Sequence, residues 1–381
     1  MTATPASADP RQACAGELAE HGPSWLARAF LAVDRTRFVP GRVWLPEPGS
    51  DGLFPVLDRE QDPDAWQAAV YELRRPLITQ MDDHRTPSEG PARGRFTSSI
   101  SALRVVAAQL AHLDLHPGHT VLHIGTGTGY DSALMAERTR AHKILTIETD
   151  RQLAGTARRN LDASGYGQVR AAVGDGELGW PEGAPYDRVL STASATRVPP
   201  AWIAQTVPGG IIVTPYRGLA LLRLAVADDG KSASGPVVDA VTFMALRGRR
   251  GGEAPDMRAV IKAQLADAEK SRTDADLSPV RSELGAEFLL HALVPGIRIV
   301  FGGTTWWFEA RDAASWAAWK PDGRVRQWGP RRLVDEAVLA VAAWRDAGAP
   351  ALTDLGVTVG AGGECVWAHG PGGPAWPVRD A

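Results

Sequence analysis

Short apolar runs alternate with amphipathic segments through the middle of the chain, between Ser99 and Pro215. The apolar runs have the length and side chains of buried strands, and they lie at 120–124, 144–148, 168–173, 187–192 and 210–214. The segments between them repeat apolar residues along one helical face, and they lie at 101–113, 131–138, 151–163 and 200–207. Strands that alternate with helices in this way predict a doubly wound, mostly parallel α/β sheet.

Some of the predicted helix ends carry specific signals. Asp150 is a suitable N-cap for the helix 151–163, and Gly165 follows the end of that helix. Serines 98, 99 and 101 offer N-caps for the helix 101–113.

The flanking regions follow other patterns. We expect disorder in residues 1–13, a short helical region in 15–33, and an irregular segment over 41–95 that is typical of a substrate-facing lid. Two apolar runs at 219–227 and 237–246 surround a polar turn and predict an antiparallel hairpin on the sheet edge.

The last third of the chain has α+β character. Residues 248–255 read as a linker, and a helix follows Gly329-Pro330 and runs to Ala347. Strand pairs are predicted for 297–301 with 304–309 and for 356–359 with 365–368. We therefore expect an N-terminal helical and loop-rich cap region, a central catalytic domain and a C-terminal accessory domain, with bounds 1–95, 96–250 and 258–381.

A glycine-rich turn follows the first central strand. After Val121-Leu122-His123-Ile124 the chain reads Gly125-Thr126-Gly127-Thr128-Gly129-Tyr130. At this point an open α/β sheet holds a nucleotide-like cofactor. A dinucleotide site has its third glycine one position later, where Tyr130 stands, and no Lys-Ser/Thr pair follows as in a phosphate-binding loop.

Two acids at the ends of the next strands select the cofactor. Glu148 can accept both hydroxyls of a ribose, and Asp175 can accept from an adenine amino group. S-adenosylmethionine fits this set better than a dinucleotide. The expected cofactor-binding residues are Gly125, Thr126, Gly127, Gly129, Tyr130, Glu148, Asp175 and Gly176.

Composition narrows the function further. The net charge of −3 over 381 residues gives no electrostatic footprint for nucleic acid. Cys14 and Cys365 are far apart, which indicates no disulfide framework and favours a reducing cytoplasm. The N-terminus lacks the features of a signal peptide, and no apolar run approaches the roughly 20 residues needed to span a bilayer. We therefore expect neither a membrane nor a nucleic-acid partner.

Several motifs occur in a fixed order within residues 15–215. They are Val33-Asp34-Arg35-x-x-Phe38-Val39-Pro40, Arg75-Pro76-Leu77, Ser99-Ile100-Ser101-Ala102-Leu103, Pro185-Tyr186-Asp187-Arg188-Val189-Leu190-Ser191-Thr192-Ala193 and Val207-Pro208-Gly209-Gly210. Together they resemble the protein-L-isoaspartate O-methyltransferase family. The resemblance implies a class I methyltransferase fold with a Rossmann-like sheet, S-adenosylmethionine as cofactor, and an aspartyl or isoaspartyl carboxylate as acceptor.

The resemblance also implies which residues hold the acceptor. The family's serine matches Ser101, which we expect to act as a catalytic residue together with Thr192. Ser99, Ser191 and Ala193 are expected to contact the substrate. A carboxylate with a pKa near 4 is ionised at neutral pH, and a sulfonium methyl group is already activated, so no general base is needed. The site has to orient one carboxylate oxygen behind the methyl group.

Two positions depart from the family pattern. His123 stands where an acid usually opens the glycine motif, and Leu103 stands where a proline follows the serine motif. The first bears on the methionine end of the cofactor site, and the second bears on how Ser101 is presented. The four histidines between 112 and 123 cannot share one helical face, because Pro117-Gly118 breaks the helix, and we expect no metal.

Residues 258–381 suggest a particular substrate. The segment Gly329-Pro330-Arg331-Arg332-Leu333 and the Trp-rich composition resemble extensions of actinobacterial family members that modify ribosomally made peptides such as lanthipeptides and graspetides. Eight of the 13 tryptophans lie after residue 300, and they would form either a small core or an aromatic surface for a peptide. Arg331 and Arg332 are further candidates for substrate binding.

We therefore predict methylation of one aspartate side chain in a macrocyclised precursor peptide, followed by closure to a succinimide and opening to Asp or isoAsp. General repair of L-isoaspartyl residues is an alternative from the same chemistry. An inactive, cofactor-binding subunit that recognises peptides is an alternative from another class.

Overall fold

The computed structural model describes residues 9–249 and 256–379. Its α-helices in these ranges are α1 (Pro10–His21), α2 (Leu26–Ala32), α3 (Pro63–Val70), α4 (Leu103–Leu113), α5 (Tyr130–Arg138), α6 (Arg151–Ala163), α7 (Pro200–Ala204), α8 (Met257–Gln264), α9 (Pro279–Ser282), α10 (Leu284–Leu293) and α11 (Leu333–Asp346). The disorder expected in residues 1–13 is wrong from Pro10 onward, where α1 begins with Asp9 accepting from the Arg11 N–H, and residues 1–8 lie outside the described ranges.

The strands in the same ranges are β1 (Arg42–Trp44), β2 (Val56–Asp58), β3 (Leu77–Met81), β4 (Phe96–Ile100), β5 (Val121–Ile124), β6 (Ile144–Glu148), β7 (Arg170–Val173), β8 (Tyr186–Ser191), β9 (Thr206–Tyr216), β10 (Ala220–Val226), β11 (Ala233–Ala240), β12 (Glu269–Arg272), β13 (Ile297–Gly302), β14 (Thr305–Ala310), β15 (Trp316–Trp319), β16 (Arg324–Trp328), β17 (Leu355–Gly360), β18 (Gly363–Ala368) and β19 (Ala375–Pro377). Both strand pairs predicted for the last third of the chain are confirmed as antiparallel pairs.

A ten-stranded sheet forms the centre of the molecule. Its order is β19-β18-β17-β11-β10-β9-β8-β5-β6-β7. The strands β7, β6, β5, β8 and β9 are parallel to one another, as predicted. Because the chain leaves β5 first to one side, toward β6 and β7, and later to the other, toward β8, the topological switch point lies at β5.

Helix ends follow the sequence signals in some places and not in others. The carboxylate of Asp150 accepts from the backbone N–H groups of Gln152 and Leu153, so α6 begins at the predicted residue and ends at Ala163. The serine caps predicted for α4 are wrong, because that helix begins at Leu103 and no side chain caps it.

The segment 41–95 is not the irregular lid that we expected. It contains most of a four-stranded antiparallel sheet of order β2-β1-β3-β4, together with α3. Trp44, Ile78 and Met81 form a small core beneath this sheet. Strands of three to five residues separated by Gly and Pro are too short to show a clear alternation in the sequence.

The C-terminal region builds a second sheet and then returns to the first. Strands β12-β16-β15-β14-β13 form a five-stranded antiparallel sheet, whereas β17, β18 and β19 extend the main sheet. The hairpin of β10 and β11 is therefore not at the sheet edge, because β11 pairs with β17. The boundary predicted near residue 250 falls between β11 of the main sheet and β12 of the five-stranded sheet, and one hydrophobic cluster contains residues from both sides of it.

Helices α10 and α11 lie between the two sheets. Phe288 and Trp344 pack with the main sheet, while Leu290 and Val334 on the same two helices pack with the five-stranded sheet. The tryptophans after residue 300 are core residues rather than an exposed aromatic surface, since all eight are buried or half-buried: Trp306, Trp307, Trp316, Trp319, Trp328, Trp344, Trp367 and Trp376.

Candidate active site

A cavity of about 390 Å³ opens where the parallel strands β5, β6 and β8 end. The segments 97–101 and 244–248 form further walls. The cavity brings together most of the residues expected from the sequence: Ser99, Ser101, Gly125, Thr126, Gly127, Tyr130, Glu148, Asp175, Gly176, Thr192 and Ala193.

Four of the expected residues do not line this cavity. Gly129 precedes α5 with a φ of +93°, and a Cβ there would lie 3.1 Å from Leu161, so this glycine lets α5 approach α6. The fully buried Ser191 donates from its hydroxyl to the Ala193 carbonyl at 2.7 Å. Arg331 pairs with Glu336 and Arg332 pairs with Glu269, at the start of α11 and away from the cavity.

Two positions of the glycine turn have backbone conformations that favour glycine. Gly125 has a φ of +90°, and a Cβ there would lie 2.7 Å from the hydroxyl oxygen of Thr192. Gly127 has a φ of +55°, and its N–H donates to the carboxylate of Glu148 at 3.0 Å. The turn is thus closed against β8 on one side and tied to β6 on the other.

Glu148 is an organised, buried carboxylate. It is 8% exposed and accepts from the N–H groups of Gly127 and Asp150, at 3.0 and 3.1 Å. Burial raises its pKa, and the two N–H donors oppose that rise. An acceptor at this place suits a ribose diol.

Asp175 lies at the open edge of the cavity. One carboxylate oxygen accepts from the N–H of Glu177 at 3.0 Å, which orients the side chain. The neighbouring Gly176 is tightly enclosed, because a Cβ there would lie 2.5 Å from Ile124. With the glycine turn and Glu148, these residues fit S-adenosylmethionine, since they provide acceptors for adenine and ribose beside a turn that a side chain would obstruct.

Ser101 has a free hydroxyl and a fixed backbone. Within the described residues, its hydroxyl makes no hydrogen bond, so it is not a helix cap. Its carbonyl accepts from Nη2 of Arg35 at 2.8 Å. Leu103, at the family's proline position, is 1% exposed and begins α4. A buried side chain at that position secures the end of the loop on the core.

Thr192 is held by a buried histidine. Its hydroxyl donates to the Gly125 carbonyl at 2.7 Å and accepts from Nε2 of His123 at 3.3 Å. Nδ1 of His123 then accepts from the Ser132 hydroxyl at 2.8 Å. Desolvation lowers the pKa of His123 to about 3, so the ring is neutral. Since the Thr192 proton is already donated, Thr192 fixes the turn, whereas the Ser101 hydroxyl stays available to a ligand.

Three residues of the site were missed from the sequence. Arg35 is 1% exposed, and its Cζ lies 4.8 Å from the ring centroid of Tyr130. Asp131 and Arg247 line the cavity directly. Arg35 belongs to the motif that begins at Val33, and Asp131 immediately follows the glycine turn. The sequence therefore contained a local indication that these two residues belong to the site.

Arg247 connects the cavity to the hairpin between β3 and β4. Its Nη2 lies 3.1 Å from a carboxylate oxygen of Asp83 and 3.3 Å from one of Asp150. The hairpin residues 82–84 have φ values of 49°, 54° and 68°, which is strained backbone for residues other than glycine. Strained backbone persists where surrounding contacts hold it in place. Here one of those contacts comes from Arg247, which also lines the cofactor cavity.

Within 9–249 and 256–379, no helix is long and apolar enough to cross a membrane. In the same ranges, no cluster of three or more His, Cys, Asp or Glu side chains could hold a metal ion.

Known proteins resemble the middle part of this chain in sequence. The sequence profile of the family described as protein-L-isoaspartate(D-aspartate) O-methyltransferase matches residues 68–251. The protein-L-isoaspartate O-methyltransferase of Hyperthermus butylicus is 42% identical over 165 residues, covering 40% of this chain and 68% of that one. The enzyme of the same name from Methanopyrus kandleri is 44% identical over 119 residues, covering 31% of this chain and about half of that one (53%).

The fold is also similar beyond the region matched by the profile. A solved structure named protein-L-isoaspartate O-methyltransferase covers 94% of this chain and 99% of its own, with a TM-score of 0.53 and 21% identity. A class I methyltransferase fold is thus confirmed, and the likeness extends well past residue 251.

Proposed function

Because the chain belongs to the protein-L-isoaspartate O-methyltransferase family, which comprises S-adenosylmethionine-dependent carboxyl methyltransferases, we propose that it esterifies the free α-carboxylate of an isoaspartyl residue in a protein or peptide. The observation that supports this proposal is the free hydroxyl of Ser101 in the same cavity as Glu148 and Asp175. A hydroxyl donor beside a methyl-donor site can orient an acceptor carboxylate. We place the reaction in a reducing cytoplasm, in keeping with two free cysteines.

The chemistry requires orientation more than proton transfer. S-adenosylmethionine supplies an activated methyl group, and the acceptor carboxylate is already ionised at neutral pH. Glu148 and Asp175 hold the ribose and the adenine, while the Ser101 hydroxyl donates to one carboxylate oxygen and leaves the other free to attack. Positioning of this kind can lower the barrier by roughly 7–11 kcal/mol. The methyl ester is then open to the next backbone nitrogen, which expels methanol and closes a succinimide without any group of this protein.

A second candidate acceptor is an aspartate in a macrocyclised, ribosomally made peptide. The observation that favours it is the extent of the chain beyond the profile match, which includes the whole five-stranded sheet. Against it, the solved methyltransferase structure resembles this chain over 94% of its length, so such a fold is not peculiar to peptide maturation. Arg331 and Arg332 are bound to carboxylates of this chain and lie away from the cavity, which weakens their proposed part in substrate binding.

A methyl-transfer assay with matched acceptors tests the proposal. The acceptors are one linear peptide with isoaspartate, the same peptide with aspartate, and a macrocyclic version with aspartate. We expect mass spectrometry to show a methyl ester on the first acceptor, then loss of methanol as the succinimide closes. Methylation of the macrocycle alone would favour the second candidate. Cofactor binding without transfer to any of the three would support an inactive peptide-recognition subunit instead.

A further inference from the structure

Among the residues that the structure describes, the carboxylate of Asp131 stands without a hydrogen-bond or ion-pair partner in the cofactor cavity. Asp131 occupies the first turn of α5 and lines the cavity. Within the described residues it makes no hydrogen bond and no ion pair, unlike Glu148 and Asp175. The surrounding protein removes water from this carboxylate and raises its pKa to about 6, an effect that the positive charge of Arg35 opposes. A group in this state gains from a cation that enters the cavity.

The strand order places Asp131 at one particular end of the cofactor. Asp175 follows β7 and Glu148 ends β6, so the adenine and ribose lie over those strands. The methionine part of a cofactor bound in this way would extend over β5 toward β8 and Ser101, since the sheet order there is β7-β6-β5-β8. Asp131 interacts electrostatically with Arg35, whose Nη2 donates to the Ser101 carbonyl at 2.8 Å, and this places Asp131 toward the Ser101 end of the cavity.

At the methionine end of the cofactor site, Asp131 is the residue that can supply a negative charge. His123 is fully buried and neutral, and it does not line the cavity. Ser101 and Thr192 carry no charge. Arg35 is committed to the Ser101 carbonyl through Nη2 and stacks on the ring of Tyr130. Asp131 is thus the anionic side chain among the cavity residues near the catalytic loop. The α-ammonium group of the methionine moiety is a matching cation.

We propose that Asp131 binds the α-ammonium group of S-adenosylmethionine, at the end of the site where His123 cannot supply a negative charge. The position in the first turn of α5 helps, because a helix N-terminus stabilises an anion. In this chain the acid of the methionine end has thus moved from the strand before the glycine turn to the helix after it. The inference concerns the cofactor alone and holds for either acceptor.

The test uses binding in the absence of any peptide, so its outcome is independent of the proposed acceptor. Asp131→Asn keeps the shape of the side chain and removes the charge. The probes are S-adenosylhomocysteine and its desamino analogue, which lacks only the amino group. By calorimetric titration, we expect Asp131→Asn to weaken S-adenosylhomocysteine about tenfold or more and to change the affinity of the desamino analogue less than about twofold.

A second variant in the same cavity serves as a control for this comparison of the two probes. Asp175→Asn should weaken both probes alike, because the adenine is the same in each. Unchanged binding of S-adenosylhomocysteine to Asp131→Asn would overturn the inference. Equal weakening of both probes would overturn it as well, since the loss would then come from the cavity as a whole. A change confined to the KM of a peptide acceptor would assign Asp131 to the substrate instead, and would also refute the proposal.

Discussion

Arg35 holds the catalytic loop from behind, across 66 positions of sequence. Its guanidinium is almost fully buried, donates to the Ser101 carbonyl and lies over the Tyr130 ring. Nε and Nη1 have no hydrogen-bond partner in the part of the chain that the structure describes, so burying this cation costs free energy. The backbone of Ser101 is therefore fixed while its hydroxyl stays available, which is the division of roles that an orienting residue needs.

The first prediction concerns that hydroxyl. Ser101→Ala should fold and bind S-adenosylhomocysteine normally, because the hydroxyl makes no hydrogen bond to any described residue. Its kcat should fall about tenfold to a hundredfold, the value of one hydrogen bond to a charged group. Steady-state methyl transfer and calorimetric titration measure the two effects. Ser282→Ala, an exposed change on α9, serves as the control. Undiminished turnover in Ser101→Ala would show that this hydroxyl has no role in catalysis.

The second prediction concerns the pH dependence of stability. The folded pKa of His123 is about 3, below its ordinary value of 6.5. Below pH 6.5 the unfolded chain takes up a proton that the folded protein refuses, so stability falls as the pH decreases. When the pH is lowered from 7 to 5, the titration of His123 should reduce the free energy of unfolding by about 2 kcal/mol.

Urea denaturation of the native protein and of His123→Gln at both pH values measures that difference. Other histidines, such as His291 with a pKa lowered to about 4, contribute equally to both proteins and cancel. The variant should therefore lose about 2 kcal/mol less than the native protein between the two pH values. Identical losses would mean that His123 protonates readily in the folded state, and that its network with Ser132 and Thr192 is not as described.

At the scale of elements, β18 holds the loop that follows β8 and the last residue of β9 in place. Glu364 on β18 is 5% exposed and accepts from the N–H of Val198 and from the hydroxyl of Tyr216. Burial raises the pKa of this carboxylate, and the two donors oppose the rise. The loop containing Val198 leads back to Ala193 in the cavity wall, so a C-terminal strand supports the active site.

The third prediction tests these contacts of β18. Glu364→Ala leaves two buried donors without a partner and should reduce the free energy of unfolding by about 2–4 kcal/mol. Glu283→Ala, an exposed glutamate before α10, should change it little. Equal stability of the two variants in urea denaturation would show that β18 does not secure the loop after β8 or the end of β9.

The sequence predicted elements wherever the signal was local. Asp150 capped α6 as expected, because an Asx side chain and the helix that it caps are neighbours in the chain. The glycine turn, Glu148 and Asp175 were found because each lies at the end of its own strand or shortly after it. Arg35 and Asp131 were not assigned, since the role of Arg35 depends on a contact with distant Ser101. The role proposed for Asp131 depends on its lack of a hydrogen-bond or ion-pair partner among the described residues.

The pairing of β11 with β17 was missed for a related reason. Local patterns identify a strand but do not name its partner. The contact is close, because a Cβ on Gly356 would lie 2.7 Å from the carbonyl oxygen of Gly235 and 2.1 Å from the Trp367 ring. Gly235 and Gly356 were thus the sequence feature that reflects the close approach of β11 and β17. From the sequence alone, each glycine could equally have indicated a β-bulge.

At the scale of the whole molecule, the two halves of the chain complete one sheet. Removing everything after residue 249 would expose the edge of β11 and the apolar surface that α10 and α11 cover. We therefore do not expect the first 249 residues to behave as an independent cofactor-binding domain. The C-terminal region contributes to the stability of the catalytic part whatever its role in choosing a substrate.

The fourth prediction follows from this arrangement. A chain divided into residues 1–249 and 256–381, with both pieces produced together, should assemble through β11 and β17 and bind S-adenosylhomocysteine. Each piece alone should be poorly soluble, since each exposes a strand edge and an apolar face. Co-purification and calorimetric titration test this. Native affinity in the first piece alone would contradict it.

The position of α10 and α11 has a thermodynamic consequence. If these two helices detach, both sheets lose their cover at the same moment, because each helix packs against both. Neither sheet can therefore melt while the other stays native, and unfolding should be all-or-none despite the size of the chain. Tryptophans on both sides, such as Trp202 and Trp319, should report the same midpoint in fluorescence as calorimetry reports in heat. In energetic terms the protein is one cooperative unit in which two sheets share the same pair of helices.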